Sequence, residues 1–116
     1  MSKARSRLLD RPDSSFRQVK GIPVVLHFGR QAKHIPSLPN FVPGKSILTI
    51  NLARLQELVE EKAGTGTWTA AHKELVDFGE PIGLKVSKST GDAVPTPIGI
   101  IHYSKQGLHV VPADPN

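Results

Sequence analysis

The chain has 116 residues, a formal net charge of +5 and a sequence pI of about 9.8, and it contains no cysteine. This length suits one domain with one core. The lack of cysteine excludes disulfides, thiolate zinc sites and a cysteine nucleophile, and no apolar run approaches the roughly 20 residues that span a bilayer. The positive charge favours an anionic partner such as nucleic acid, an acidic protein or a membrane surface.

The first 20 residues are polar, basic and weakly patterned, and Arg11-Pro12-Asp13-Ser14-Ser15 is typical of turns and linkers. We interpret residues 1–20 as a flexible arm or a junction to a larger delivery protein, and residues 21–116 as the functional domain. The basic start is not followed by an apolar segment, so we do not expect a secretory signal there. Export would then depend on another protein or segment.

A β-rich segment, Ile22–Phe28, follows, and Pro23 indicates that it begins as an edge strand or a strand entrance. Three prolines, at positions 36, 39 and 43, then exclude a long helix. Residues 29–36 predict a loop of defined shape, and such loops often carry binding groups. Its polar side chains include Arg30, Lys33 and His34.

The clearest helix lies between Asn51, a suitable N-cap, and Gly64, which stops it. Its apolar positions recur at helical spacing and predict a face turned to the core: Leu52, Leu55, Leu58 and Val59. The glycines and threonines of residues 64–67 lack the pattern of a phosphate-binding loop and predict a turn. Residues 69–72 are interpreted as a short helical turn.

From Glu74 onward the pattern predicts strands. The segments are Leu75–Phe78, Ile82–Lys88, Pro97–Tyr103 and Leu108–Val111, with a turn at Thr90-Gly91-Asp92. They form an antiparallel meander that follows the helix in the chain. This order predicts an α+β fold.

The last hairpin carries two histidines, a tyrosine, a serine and a lysine within eight positions. A three-residue turn at Lys105-Gln106-Gly107 pairs Tyr103 with His109 and sends His102 and His109 to opposite faces. A two-residue turn at Gln106-Gly107 shifts the register by one and places His102, Ser104 and His109 on one face. The first register is slightly favoured because glutamine disfavours a positive φ, but the sequence leaves both open.

Cleavage of RNA without a metal needs a base, an acid, and a cation or donor that stabilises the phosphorane. Histidine suits both proton-transfer roles because its pKa lies near neutrality. The catalytic candidates are His34, His102, His109, Lys33, Tyr103 and Ser104. Of these, Tyr103 and Ser104 would position the phosphate through their hydroxyl groups. The candidates for contact with RNA or its phosphates are Arg30, Lys45, Ser46, Lys85, Thr96 and Lys105.

Other chemistries lack their signatures. His27 and His34 do not have compact ligand spacing, and neither an HExxH motif nor a histidine–carboxylate cluster occurs, so we expect no metal and no cofactor. A serine triad is equally unsupported because there is no GxSxG elbow.

Several segments together resemble one known family. They are Gly29-Arg30-Gln31-Ala32-Lys33-His34-Ile35, Gly44-Lys45-Ser46, Gly64-Thr65-Gly66 and Ile101–Pro112. These segments are similar to the polymorphic toxin type 50 (bacterial toxin 50) family, whose pattern resembles GRQxKHI near the start and IHYSKxGxHIVP at the end. The resemblance covers roughly residues 27–113.

The resemblance implies a barnase–EndoU–colicin–RelE-like fold, in which an N-terminal helical part packs on a roughly four-stranded antiparallel sheet. It also implies a C-terminal toxin domain of a polymorphic, contact-dependent or phage-delivered protein. Such a domain would act as a metal-independent endoribonuclease in the target-cell cytoplasm, with tRNA as one candidate substrate. A cognate immunity protein, expected to be acidic, would neutralise it. Carried over by position, the motif residues are Arg30, Lys33, His34, Ser46, His102, Tyr103, Ser104, Lys105 and His109.

We therefore expect RNA cleavage in which His34 and either His102 or His109 exchange protons, without membrane insertion by this domain. Phosphate would contact Arg30, Lys33 and Lys105. The alternative is a non-catalytic basic nucleic-acid-binding module of a phage or secreted structural protein, whose binding weakens with salt. A third hypothesis is a nuclease that acts on DNA.

Overall fold

The computed structural model describes residues 7–115, which form short helices and three antiparallel sheets. The helices are α1 (Phe28–Gln31) and α2 (Leu52–Lys62), with 3-10 turns at Asp13–Ser15 and Ala32–His34. The strands are β1 (Gln18–Val19), β2 (Ile22–Pro23), β3 (Ile47–Leu48), β4 (Thr67–Ala70), β5 (Lys73–Asp77), β6 (Gly83–Val86), β7 (Ala93–Thr96), β8 (Ile98–Ser104) and β9 (Gly107–Pro112).

The main sheet has four strands in the order β4-β5-β8-β9, and all its pairings are antiparallel. A three-stranded sheet, β3-β6-β7, and the small pair β1-β2 complete the architecture. Side chains alternate between buried and accessible along β5 and β8, so the main sheet has a core face and an open face. The predicted α+β class is confirmed, but the predicted meander is wrong, because β5 pairs with β8 while β6 pairs with β3 and β7 in the second sheet.

Helix α2 follows the predicted pattern. The Asn51 side chain caps it by accepting a hydrogen bond of 2.8 Å from the Arg54 N–H. Leu55, Leu58 and Val59 are buried and belong to one hydrophobic cluster with residues from the core face of the main sheet, among them Val76, Ile101 and Val110. Because its core face is covered in this way, the main sheet leaves only its other face accessible.

The short helical turn predicted for residues 69–72 is wrong, because Thr67–Ala70 is strand β4. Threonine and tryptophan are strand-forming residues, and Thr67 pairs with Leu75 of β5. The ring of Trp68 packs against Tyr103 with centroids 5.0 Å apart. Gly66 permits the approach of the strands, since a Cβ there would lie 2.1 Å from the Leu75 carbonyl oxygen. These tertiary contacts override the local pattern.

The segment interpreted as an arm, residues 1–20, lies partly outside the described residues, which start at Arg7. Its described part contacts the domain: Phe16 is 7% exposed, the Leu8 N–H donates to the Leu26 carbonyl at 2.9 Å, and Arg17 donates to the Glu60 carbonyl at 2.6 Å. A role as a junction in a longer protein stays a prediction. Within residues 7–115 no helix is both long and apolar enough to cross a bilayer.

The terminal hairpin closes through a two-residue turn at Lys105-Gln106, with Ser104 opposite Gly107. The favoured register, which separated His102 from His109, is wrong because these two residues pair directly. The alternative register was right about the shared face, although its turn position was not. Gly107 belongs to β9, where its φ of 130° and the nearby Val25 carbonyl, 2.5 Å from a would-be Cβ, exclude a side chain.

Candidate active site

Three histidine rings form a row on the open face of the main sheet. His102 and His109 face each other across β8 and β9, with ring centroids 4.7 Å apart and planes inclined by 21°. The ring of His34 also contacts that of His109, at 6.2 Å and again at 21°, and it belongs to the chain that follows the edge of β9 opposite to β8. We call His34, His109 and His102, in this order, the histidine row. His109 is therefore flanked on both sides by a group that can exchange protons.

The chain before His34 reaches the row by extending the main sheet. Leu108 donates its N–H to the Val25 carbonyl at 2.9 Å, and its carbonyl accepts the His27 N–H at 2.7 Å. The chain then turns into α1, whose N-cap is His27, with Nδ1 accepting from the Arg30 N–H at 3.2 Å. The 3-10 turn Ala32–His34 follows at once and ends at the row.

Gln31 fastens this turn to the sheet. Its side-chain amide donates to the Val110 carbonyl at 2.9 Å and accepts the Val110 N–H at 2.7 Å, with none of the residue exposed. The amide thus continues the ladder at the outer edge of β9, beyond the point where Val25 and His27 leave it. It satisfies two buried backbone groups and holds His34 beside His109.

We expect the Gln31→Leu substitution to lower the free energy of unfolding by about 2–5 kcal/mol, since it leaves two buried backbone groups of Val110 unpaired. Urea denaturation followed by circular dichroism measures the loss. Gln18, which is exposed on β1, supplies the matched control, and Gln18→Leu should stay near the wild-type value. A loss below about 1 kcal/mol for Gln31→Leu would show that water replaces the amide.

The tautomer of His34 follows from its partner. Nδ1 lies 2.8 Å from the Ser46 carbonyl oxygen, which can only accept, so Nδ1 carries the proton. The Nε2 atom of the neutral ring is left with its lone pair. The Ser46 hydroxyl oxygen accepts the Val86 N–H at 3.2 Å, which ties the carbonyl that orients His34 to strand β6.

All three rings of the histidine row favour the neutral form. Burial lowers the pKa of His109 to about 3, and the neighbouring His102, His34 and Arg30 add to the shift. Burial also lowers the pKa of His102, and the neighbouring Lys73 and His34 lower it further. Burial lowers the pKa of His34, and Lys45 and Lys33 lower it further, whereas the hydrogen bond that the ring donates to the Ser46 carbonyl opposes the shift. The site therefore holds three imidazoles that favour the neutral form, and a bound anion would raise their pKa values.

These pKa shifts predict acid sensitivity. A histidine whose folded pKa lies below about 6.5 binds more protons in the unfolded chain, so stability is complete above pH 6.5 and falls as pH drops towards the folded pKa. We expect the urea midpoint to fall between about pH 6.5 and 3, and to fall less in His109→Gln, which removes the ring with the pKa of about 3. The exposed His72 supplies the control, and an equal fall in His109→Gln and His72→Gln would contradict the prediction.

A polar cavity of about 370 Å³ opens over the row. Its lining combines the three histidines and three exposed cations with a tyrosine: Arg30, Lys33, His34, Lys45, His102, Tyr103 and His109. Arg30, Lys33 and Lys45 are all exposed at the rim. Neutral imidazoles surrounded by fixed positive charge provide proton acceptors and an attractive field for an anion in one place.

Comparison with known proteins gives this cavity a family context. The chain matches the family model described as bacterial toxin 50 across residues 26–112, three quarters of its length. The chain belongs to the bacterial toxin 50 family. No curated protein matches it. The matched region contains the whole histidine row, Gln31 and the three rim cations, so the cavity is part of the bacterial toxin 50 domain.

Two candidate side chains of the bacterial toxin 50 domain are turned away from the cavity. Tyr103 borders it, but strand alternation sends its side chain to the core face, where the hydroxyl donates to Glu74 at 2.6 Å. Burial and the Glu74 carboxylate raise the pKa of Tyr103 above its ordinary value. Thr96 is fully buried in β7, and its hydroxyl oxygen accepts the Ile98 N–H at 3.0 Å.

The remaining candidates lie beside the cavity or away from it. Ser104 shares the face of His102, but its hydroxyl donates to the Gly107 carbonyl at 3.0 Å. Lys105 is exposed in the hairpin turn, and Lys85 lines a different cavity beside β6 and β7. The structure thus brings together six candidate side chains: Arg30, Lys33, His34, Lys45, His102 and His109.

Sequence reasoning missed three residues around the site. Gln31 and His27 shape the turn that carries His34, and Lys73 of β5 pairs with His102 of β8. No apolar pattern pointed to Lys73, because burial alternates along β5 while the buried residue beside Lys73 is the charged Glu74. Among residues 7–115 no cluster of three or more histidine, aspartate or glutamate side chains is arranged to hold a metal ion.

Proposed function

We propose that this bacterial toxin domain is an endoribonuclease that cleaves RNA by attack of a 2′-hydroxyl on the adjacent phosphate, without a metal. The observation that carries the proposal is the histidine row under a rim of three cations. Such a reaction requires an acid, a base and charged groups that stabilise the phosphorane.

His34 is the base. Its Nδ1 donates to the Ser46 carbonyl, so the lone pair of Nε2 is free to accept a proton. The lowered pKa of His34 keeps the ring neutral near pH 7. Nε2 accepts the proton of the 2′-hydroxyl while the O2′–P bond forms. The Ser46 carbonyl then stabilises the imidazolium, as an acceptor does in hydrolytic triads.

His102 is the acid, because it lies on β8 at one edge of β9, whereas the chain that carries the base follows the other edge. A phosphate over His109 then has its attacking and leaving oxygens directed towards opposite ends of the row. His102 gives a proton to the 5′-oxygen as the P–O5′ bond breaks. The negative charge of the bound phosphate raises the pKa of His102 and supplies the protonated form.

The three rim cations stabilise the negative charge of the phosphorane. Arg30, Lys33 and Lys45 border the same cavity as the histidines, and each is exposed in the absence of substrate. Arginine matches two phosphate oxygens with its planar fork, and the lysines act as point charges.

The test uses the purified domain, an RNA oligonucleotide, excess chelator, and a second substrate with a 2′-deoxy group at the cleaved position. We expect cleavage of the RNA to persist in chelator and to leave a 2′,3′-cyclic phosphate and a 5′-hydroxyl, while the deoxy substrate stays intact. Loss of activity in chelator would overturn the metal-free mechanism. Cleavage of the deoxy substrate would indicate a DNA-type nuclease, and binding without cleavage would favour the nucleic-acid-binding module.

The match to the bacterial toxin 50 family supports a proposal for the biological setting. The domain acts in the cytoplasm of a target cell after delivery as the C-terminal part of a larger secreted or phage-encoded protein, and tRNA is one candidate substrate. A net charge of +5 and three exposed rim cations favour an acidic immunity protein that covers the cavity. Association of such a pair should be fastest at low salt.

A further inference from the structure

The histidine row continues onto a third strand of the main sheet. Lys73 of β5 pairs directly with His102 of β8, which in turn pairs with His109 of β9. Directly opposed residues project from the same face of a sheet with Cβ atoms about 5 Å apart. Lys73 therefore stands on the open face beside His102, at the end of the row away from His34.

The charge of Lys73 is available to a ligand. Its side chain is exposed, and among residues 7–115 no acidic side chain forms an ion pair with it. Its neighbour Glu74 points to the core face and is fully buried. Asp77, four residues further along the same face, accepts the Gly79 N–H at 2.9 Å.

Lys73 does not line the cavity over the histidine row. Neighbouring strands lie about 4.8 Å apart, so two strand spacings place its backbone roughly 10 Å from that of His109. A phosphate bound over His109 is held by the rim cations instead. Lys73 is positioned for the next phosphate along the same strand of RNA.

We propose that Lys73 binds the phosphate on the 3′ side of the cleaved bond, so that RNA crosses the open face at right angles to the strands. The direction in which the RNA chain runs rests on the proposed function, in which His102 protonates the leaving 5′-oxygen of the 3′ nucleotide. The 5′ nucleotide then lies at the His34 end. Lys73 is a substrate-binding residue and takes no part in proton transfer.

The test compares three minimal substrates: a dinucleoside monophosphate, the same molecule with an added 3′-phosphate, and the same molecule with an added 5′-phosphate. We expect the wild type to prefer the 3′-phosphorylated form, and Lys73→Gln to lower its kcat/KM about fivefold, the size of one charge-assisted contact near a surface. The other two substrates should be unaffected. Each protein is measured at its own pH optimum, because Lys73 also lowers the pKa of His102. Lys88→Gln, in the exposed turn after β6, is the matched control.

An equal loss of kcat/KM on all three substrates would overturn the proposal, because it would show that Lys73 acts through His102. Loss confined to the 5′-phosphorylated substrate would reverse the direction of the RNA, and an unchanged preference would remove Lys73 from the binding surface. Binding of the 2′-deoxy form of the 3′-phosphorylated substrate supplies a readout without cleavage. If the wild type binds it but cuts no RNA, the proposed function fails, while weaker binding by Lys73→Gln still supports the contact.

Discussion

Substitution of His34 by asparagine should slow RNA cleavage by about 10²–10⁴-fold, the usual contribution of a general base, and leave the fold intact. The asparagine amide can replace Nδ1 as the donor to the Ser46 carbonyl, 2.8 Å from the native ring nitrogen. It supplies no atom at the position of Nε2. Single-turnover cleavage of an RNA oligonucleotide measures the loss, and thermal unfolding verifies the fold.

His72 provides the control for this experiment because it is exposed and lies outside the cavity lining. His72→Asn should cleave at the wild-type rate. If His34→Asn stays within about threefold of the wild type, the base lies elsewhere in the row. A large loss of stability in His34→Asn would mean that the ring is needed for packing, and His34→Gln, which keeps an amide nearer the Nε2 position, would then separate packing from chemistry.

The largest effect on stability should come from Glu74, whose carboxylate is fully buried on the core face. It accepts hydrogen bonds from the N–H groups of Gly64 and Gly66 at 2.9 and 2.7 Å and from the Tyr103 hydroxyl at 2.6 Å. Glu74→Met keeps the length of the side chain but leaves these donors without an acceptor. We expect the free energy of unfolding to fall by about 3–5 kcal/mol.

Urea denaturation measures this loss, and Glu61→Met on the exposed side of α2 should change little. Tyr103→Phe removes only one of the three donors, so its expected cost is about 1–3 kcal/mol. Its cleavage rate per folded molecule should equal the wild-type rate, since the hydroxyl is directed to Glu74. A slower rate would instead assign Tyr103 a part in the reaction, as the sequence motif suggests.

The helix was predictable because its evidence is local. The signals for α2 lie close together in sequence: Asn51 caps its start, the leucines recur at helical spacing, and Gly64 follows its end. The hairpin register was not predictable, because Gly107 belongs to β9 and not to the turn, beside Val25, which lies far away in sequence and leaves no room for a side chain there.

The site was predictable in composition and only partly in geometry. Alternation along β8 requires His102 and Tyr103 to face opposite sides of the sheet, so a single site could hold only one of these side chains. The sequence could not choose between them without knowing which face α2 covers. Gln31 stood in the family motif, but its role could not be predicted, since a buried amide that substitutes for a peptide group has no characteristic spacing.

The clamp between Gln31 and Val110 joins residues 79 positions apart. His34 and His109 are therefore brought together only when the two ends of the domain meet. No partial fold that lacks β9 or the first turn contains the site, and contacts this distant in sequence form late because loop closure is costly. Assembly of the histidine row is thus coupled to completion of folding, and under the proposed function an unfolded chain would cleave no RNA until it refolded.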